Sequence, residues 1–216
     1  EYIDEYLTCD VSKSGEPYQL SRDYKYHNGS FLNGMGFVLS REEAEELLLT
    51  NSYSEVIRPY IGGKETYNRP APDIPKRYII YFGKMSLEKA QKWEKALTIV
   101  KERVWPYRKD HKTKQLREKW WQFKRPTPNL YADCANTEQI IAKTQVSNTY
   151  GFVFLPSNFI FDQRLIVFPH ESFSIFAVLQ SVLHEIWARR YAATLKNDMS
   201  YTPKKCFETF PFPNLQ

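Results

Sequence analysis

Cysteine is scarce in this chain of 216 residues: Cys9, Cys134 and Cys206 stand far apart, odd in number and without a CxxC pair. That excludes a disulfide scaffold and a cysteine zinc site, and it points to reduced thiols in a cytoplasm. No apolar run approaches the roughly 18–20 residues of a membrane-spanning helix, and no basic-then-apolar signal segment opens the chain. Glycine is also sparse, with eight residues, and Gly34-Met35-Gly36 is a lone GxG lacking the following glycine of a nucleotide loop. It reads as a structural glycine pair. A metal-protease helix is missing too: His184-Glu185 begins an HExxH pattern, but Ala188 stands at the second histidine position. His184 is therefore a surface or core residue of a helix. Pro72-Asp73-Ile74-Pro75-Lys76 has the outline of a nuclease site but lacks the second acid that would hold Mg²⁺, and its prolines indicate a loop. No Ser/His/Asp or Cys/His arrangement stands out, so the expectation is a non-catalytic chain with no metal and no cofactor of its own. It begins Glu1-Tyr2-Ile3, which reads as a piece of a longer protein.

What is present is aromatic content of 16% and an uneven field. Between Lys101 and Arg125, ten basic residues face three acidic ones, leaving +7 there; 20 against 22 leave −2 elsewhere. A local positive segment suits a phosphate-facing surface, with a solvated helix face as the alternative. Lys112, Lys114, Arg117, Lys119, Lys124 and Arg125 are its candidate phosphate contacts.

Local patterns indicate an α+β fold, with a mainly antiparallel or mixed sheet, several helices and a long C-terminal helix. Phe31 to Leu39 reads as a short strand or bulged hairpin. Ser40 with Glu43 forms a capping box for a helix over 41–50, and a second short helix is expected from Ser54 to Tyr60, limited by Pro59. Residues 62–76 read as loop. Arg77 to Phe82 is a buried strand, and Ser86 caps a helix that ends before Pro106. The basic stretch up to Trp120 and Trp121 is expected to be helical, and Lys124 to Asn129 is a loop. Ile140-Ile141-Ala142, Gly151 to Leu155 and Arg164 to Phe168 are strands. From Ser172 one amphipathic helix is expected to run to Leu195, with Phe173, Phe176, Ala177, Gln180, Leu183, Trp187 and Tyr191 as its core stripe.

Gly34-Met35-Gly36-Phe37, Val56 to Gly63, Phe82-Gly83-Lys84-Met85-Ser86, Trp120-Trp121-Gln122-Phe123 and the closing Tyr201-Thr202-Pro203 with Phe207 to Pro213 follow one another in a familiar order. In this the chain resembles the target recognition domain of MmeI-like enzymes, bifunctional Type II restriction–modification proteins that methylate adenine in DNA. It departs from them at Tyr81, where an acid is common. The resemblance implies that residues 1–30 are an extended lead-in from an upstream methyltransferase domain. Residues 31–216 are then the recognition domain, helix-rich over 31–125 and strand-rich with a long helix over 126–216. It implies double-stranded DNA and that upstream domain as partners, with S-adenosylmethionine held by the parent and not by this fragment. It further implies a bacterial or archaeal cytoplasm, and leaves open whether the parent cuts DNA.

The resemblance also makes the pair before the Tyr-Thr segment a base-reading position, here Lys196 and Asp198. A lysine donates to guanine O6/N7 and an aspartate accepts from cytosine N4, so the two match one G·C pair. A solvent-exposed helix end is the plainer explanation. The turns of the strand-rich half are the other implied readers: Lys143-Thr144-Gln145 before Val146-Ser147, and Asp162-Gln163-Arg164 before the last strand, with Lys143, Gln145, Gln163 and Arg164 as the candidate base contacts. Ordinary hairpin polarity is their alternative. The different-class alternative for the whole chain is an RNA- or protein-binding scaffold using the basic aromatic segment.

Overall fold

The computed structural model describes residues 17–20, 24–67, 75–195 and 198–213. In chain order its elements are β1 (His27–Asn28), β2 (Val38–Leu39), α1 (Arg41–Leu48), a 3₁₀ turn (Asn51–Glu55), β3 (Ile57–Ile61), α2 (Gly63–Tyr67) and β4 (Arg77–Ile80). Then come α3 (Leu87–Ala90), continued by a 3₁₀ turn (Gln91–Trp93) into α4 (Glu94–Arg108), α5 (Lys114–Glu118) and α6 (Pro128–Asp133). The remainder is β5 (Gln139–Thr144), β6 (Val146–Ser147), β7 (Val153–Pro156), β8 (Ile160–Phe161), β9 (Leu165–Phe168), α7 (Phe173–Leu179), α8 (Val182–Tyr191), β10 (Ala193–Leu195), β11 (Asp198–Ser200) and α9 (Pro203–Cys206).

Three small sheets organise these elements, in the orders β2-β4-β3-β8, β1-β9-β5-β7 and β10-β11-β6. The second is antiparallel throughout, as the polar turns between its strands indicated. In the first, β3 pairs antiparallel with β4 and parallel with β8, so a strand from the second half of the chain completes a sheet of the first half. Ile61, Leu130, Ile140, Leu155, Phe161 and Leu165 fill the core at that junction.

Local capping chemistry sets the helix starts. Ser40 accepts from the Glu43 N–H, and the Glu43 carboxylate accepts from the Ser40 N–H. Ser86 accepts from Lys89 N–H at the head of α3.

Four expectations are corrected. Ser54–Tyr60 is not helical: after the 3₁₀ turn, Ile57–Ile61 is a strand, with Pro59 opposite Tyr78. Tyr81 N–H donates to Val56 O and Ile80 N–H to Phe37 O. That alternation points the nitrogen of Pro59 away from β4, and the pairing with β8 starts only at Tyr60. The loops are shorter than expected, because α2 lies within 62–76 and α6 opens at Pro128, its fixed φ suited to a first helical turn. Pro106 does not end its helix. It lies exposed inside α4, where the carbonyl it leaves unbonded can meet water.

The long C-terminal helix is two helices and a strand. Ser181 accepts from His184 N–H and starts a new helix, and Ala192, in extended conformation, ends it before β10. Ile175 and Leu179 are buried in α7, His184 and Ala188 in α8. The five-residue step from Leu179 to His184 is the register shift at the break. Of the expected stripe, Phe173, Ala177, Gln180 and Leu183 are exposed, because α7 buries Ile175 and Leu179 instead and α8 starts on a new register. The longest helical run is therefore central, through α3 and α4.

Candidate nucleic-acid interface

The basic segment divides into interior and surface. Arg108 is buried against the ring of Phe37, and its guanidinium donates to the carbonyls of Trp120, Gln122, Leu32 and Asn33 at 2.5–3.2 Å. Burial lowers its pKa to about 10, which still leaves it charged at neutral pH. Lys112, Lys114, Lys119, Lys124 and Arg125 are exposed. Lys114 lies 3.6 Å from Glu118. Arg117 is half-buried and occupied with the carbonyls of His111 and Lys112. Trp121 is buried with its indole N–H on Met85 O, and Trp105 and Trp120 pack edge to face. These aromatics belong to the core and its margin, and do not form the open stacking face that RNA recognition by a sheet requires.

The turn candidates meet at one end of the β9-β5 pair. Gln145 N–H donates to Arg164 O at 2.7 Å, just past the Thr144–Leu165 pair, and both side chains are exposed. Gln163 beside them is half-buried. Asp162 shapes this turn, accepting from Arg164 N–H at 3.0 Å and from the Tyr60 hydroxyl at 2.8 Å. Burial and the carboxylate of Asp162 raise the Tyr60 pKa, so that hydroxyl remains a donor.

The phosphate candidates join the same region through 29–31. Phe31 and Arg125 exchange backbone hydrogen bonds of 2.9 and 3.1 Å, Lys124 lies over the Phe31 ring, and Ser30 bridges to Asp162. At Gly29 a β-carbon would sit 2.1 Å from Asp162 O, so no larger residue fits this crossing unshifted. Arg125 and Asp162 are thus two strand spacings apart, about 10 Å.

Lys143 is placed otherwise than at a reading edge. It is fully buried, with Nζ 4.4, 5.1 and 5.4 Å from the ring centres of Tyr150, Phe152 and Tyr201, and it donates to Gly151 O. Its ammonium meets no solvent here. Burial lowers its pKa to about 8. Asp198 is half-buried and opens β11 opposite Leu195, while Lys196 lies outside the described residues. The acid of that pair therefore stands on a strand of the β10-β11-β6 sheet and not beside a helix end. The same sheet adjoins the Gln145 turn, since Tyr201 N–H donates to Gln145 O.

Gly34 takes φ +114° in a turn, and a β-carbon on Gly36 would meet Arg103 and Val104 of α4 at 2.8–2.9 Å. Neither glycine is arranged as a cofactor loop, so this GxG does not fit S-adenosylmethionine. His184 is a core residue, bonded to the Tyr150 hydroxyl and the Leu179 and Cys206 carbonyls. Among the described residues no cluster of His, Cys, Asp and Glu could hold a metal ion, and no helix is long and apolar enough to cross a membrane. Residues 72–74 of the nuclease-like segment lie outside the described residues.

Two positioning residues, Tyr60 and Gly29, escaped the sequence reading. Asp162 two residues before Arg164 is a legible signal, because aspartate commonly caps the N–H two positions on; nothing local marks Tyr60 as its partner.

The family model for the MmeI target recognition domain matches residues 11–214. No curated protein matches the chain. A solved structure of the Type IIL restriction–modification enzyme MmeI in complex with DNA is similar over 99% of this chain, with TM-score 0.71 and 17% identity. The chain spans 28% of the length of that protein.

Proposed function

The chain belongs to the MmeI target recognition domain family, and from that premise we propose that it reads a short sequence in double-stranded DNA for a parent enzyme that methylates adenine. The parent's methyltransferase domain would bind S-adenosylmethionine and act on an adenine turned out of the duplex. The lead-in from that domain would be shorter than residues 1–30, because β1 (His27–Asn28) pairs with β9 and Ser30 bridges to Asp162 within the recognition domain.

One observation supports the reading above the rest. Two exposed side chains suited to base edges, Gln145 and Arg164, are joined by a backbone hydrogen bond at one end of a sheet. Glutamine suits adenine and arginine suits guanine. The exposed cations Lys124 and Arg125 connect to that end through residues 29–31. Phosphate anchors set register and base contacts carry sequence, so the two kinds of group must be held in fixed relation. Arg164, Gln145 and Gln163, with Lys196 and Asp198, are the proposed readers. Lys112, Lys114, Lys119, Lys124 and Arg125 are the proposed phosphate contacts, with Arg117 contributing chiefly to the backbone it holds.

The test exchanges the sign of the Lys196/Asp198 pair. If Lys196 donates to guanine and Asp198 accepts from the paired cytosine, Lys196→Glu with Asp198→Arg should favour C·G over G·C at that one position. A good base-edge contact is worth about 1–3 kcal/mol, a switch of roughly 5- to 150-fold. Mapping methylated sites across a genome with the full protein reads the outcome. Retained activity with no altered base at any recognised position would remove the pair from the reading set.

A further inference from the structure

Asp162 lies where three parts of the proposed interface join. One carboxylate oxygen accepts from the N–H of Arg164, whose own carbonyl accepts from Gln145. The other oxygen accepts from Tyr60, a core residue of β3. Its backbone bridges to Ser30, and the next residue, Phe31, pairs with Arg125. The brace is stiff on each side. The Arg77 guanidinium covers the Tyr60 ring at 4.9 Å and is held by both oxygens of Glu65. Buried Ser30 Oγ lies 2.7 Å from both the Thr127 and Tyr131 hydroxyls and donates to Pro126 O. Thr127 itself has φ +45°, a left-handed conformation costly for a β-branched residue and sustained here by its surroundings.

We propose that Asp162 is a positioning residue for base reading, fixing Arg164 and Gln145 relative to the Lys124–Arg125 phosphate contacts without touching DNA itself. Arg164 and Gln145 depend on the turn that Asp162 holds, whereas Arg125 is held by its own pairing with Phe31, so a loosened turn misplaces the readers while the anchors stay seated. The inference rests on the reading of Arg164 and Gln145 as base contacts.

The experiment selects bound duplexes from a pool with a randomised core, using the full protein, and titrates salt on the winners. Asp162→Ala and Tyr60→Phe should each lose on the order of 5- to 100-fold in discrimination at the one or two base positions that Arg164→Ala flattens. Other positions and the salt slope should stay as in the wild type. Asp162→Asn should largely restore discrimination, since its carboxamide oxygen still accepts from Arg164 N–H and its NH₂ can donate to the Tyr60 oxygen. Should Asp162→Ala fail to fold, Tyr60→Phe, which removes a single oxygen, carries the test. If Arg164→Ala flattens a position that neither Asp162→Ala nor Tyr60→Phe alters, the positioning role is overturned and the reading of Arg164 survives. If Arg164→Ala flattens nothing, that reading falls and the inference with it. A uniform weakening at every position with a lowered melting temperature would mark Asp162 as merely structural and overturn the proposal.

Discussion

Lys143 shows how far a residue's chemistry depends on its neighbours. Outside a fold its ammonium suits guanine; here three aromatic rings and one carbonyl enclose it, with no carboxylate among its hydrogen-bonding partners in the described residues. Ring faces attract a cation, but not enough to replace water, and its pKa falls from 10.5 to about 8. Between those values the unfolded chain binds the proton and the folded chain does not, so this residue adds stability as pH rises from about 8 to about 10.5. The gain is on the order of 3 kcal/mol. Cys134 and Cys206 act in the opposite sense: burial raises each thiol to about 11, and stability falls as pH passes 9. A difference measurement separates them. Lys143→Met keeps an apolar stem among the rings and removes the charge, so urea unfolding should find it at least as stable as wild type at pH 7. The wild type should gain on it by pH 9.5. A difference independent of pH would mean that water reaches the ammonium.

At the scale of elements, Arg108 closes the end of α4 against two distant segments. Its bonds to Leu32, Asn33, Trp120 and Gln122 supply donors to carbonyls that no strand or helix satisfies there. Its Nε is buried without a partner, a cost those four bonds offset. Arg108→Met would leave buried acceptors unpaired at about 1–3 kcal/mol each, so chemical denaturation should show a loss of at least about 3 kcal/mol. A loss below about 1 kcal/mol would mean that solvent reaches these carbonyls. The charge count alone included Arg108 in the local positive segment, because periodicity does not reveal which side of a helix end another segment will cover. The break between α7 and α8 has a similar origin. Ser181 is a competent N-cap, but a cap is used only where the chain turns, and one shifted residue moves the whole apolar stripe.

Over the whole molecule, removing Arg108 from the count leaves a surface field that is still positive along 101–125. Lys112, Lys114 and Lys119 are exposed there, and among the described residues only Lys114 of the three has an acid in ion-pair range, at a separation typical of a weak surface pair. Neutralising all three to Gln should weaken binding to every duplex alike. Each lost phosphate contact should reduce the log–log salt slope by roughly 0.9, up to about 2.7 for the three. Titration of the full protein with cognate and scrambled duplexes checks this, and an unchanged slope would turn these lysines into a solvated face. Base preference should be unaffected, which separates this surface from the Gln145–Arg164 edge.

The sequence by itself determined whatever depends on a few adjacent residues. That covers the Ser40–Glu43 capping box, the Ser86 cap, the apolar β-branched and aromatic strands around Ile141, Phe154 and Val167, and the ordered segments that carry the family resemblance. Tertiary structure alone decided whether polar groups face water or the core. Lys143 is buried by rings at 150, 152 and 201, Arg108 by carbonyls at 32, 33, 120 and 122, and Asp162 is braced by a hydroxyl 102 residues away. Ile57–Ile61 became a strand because β4 and β8 offered their edges, a partnership no local propensity encodes. Capping and strand propensity depend on neighbours in sequence, whereas desolvation of a charge is set by whatever the folded chain brings against it.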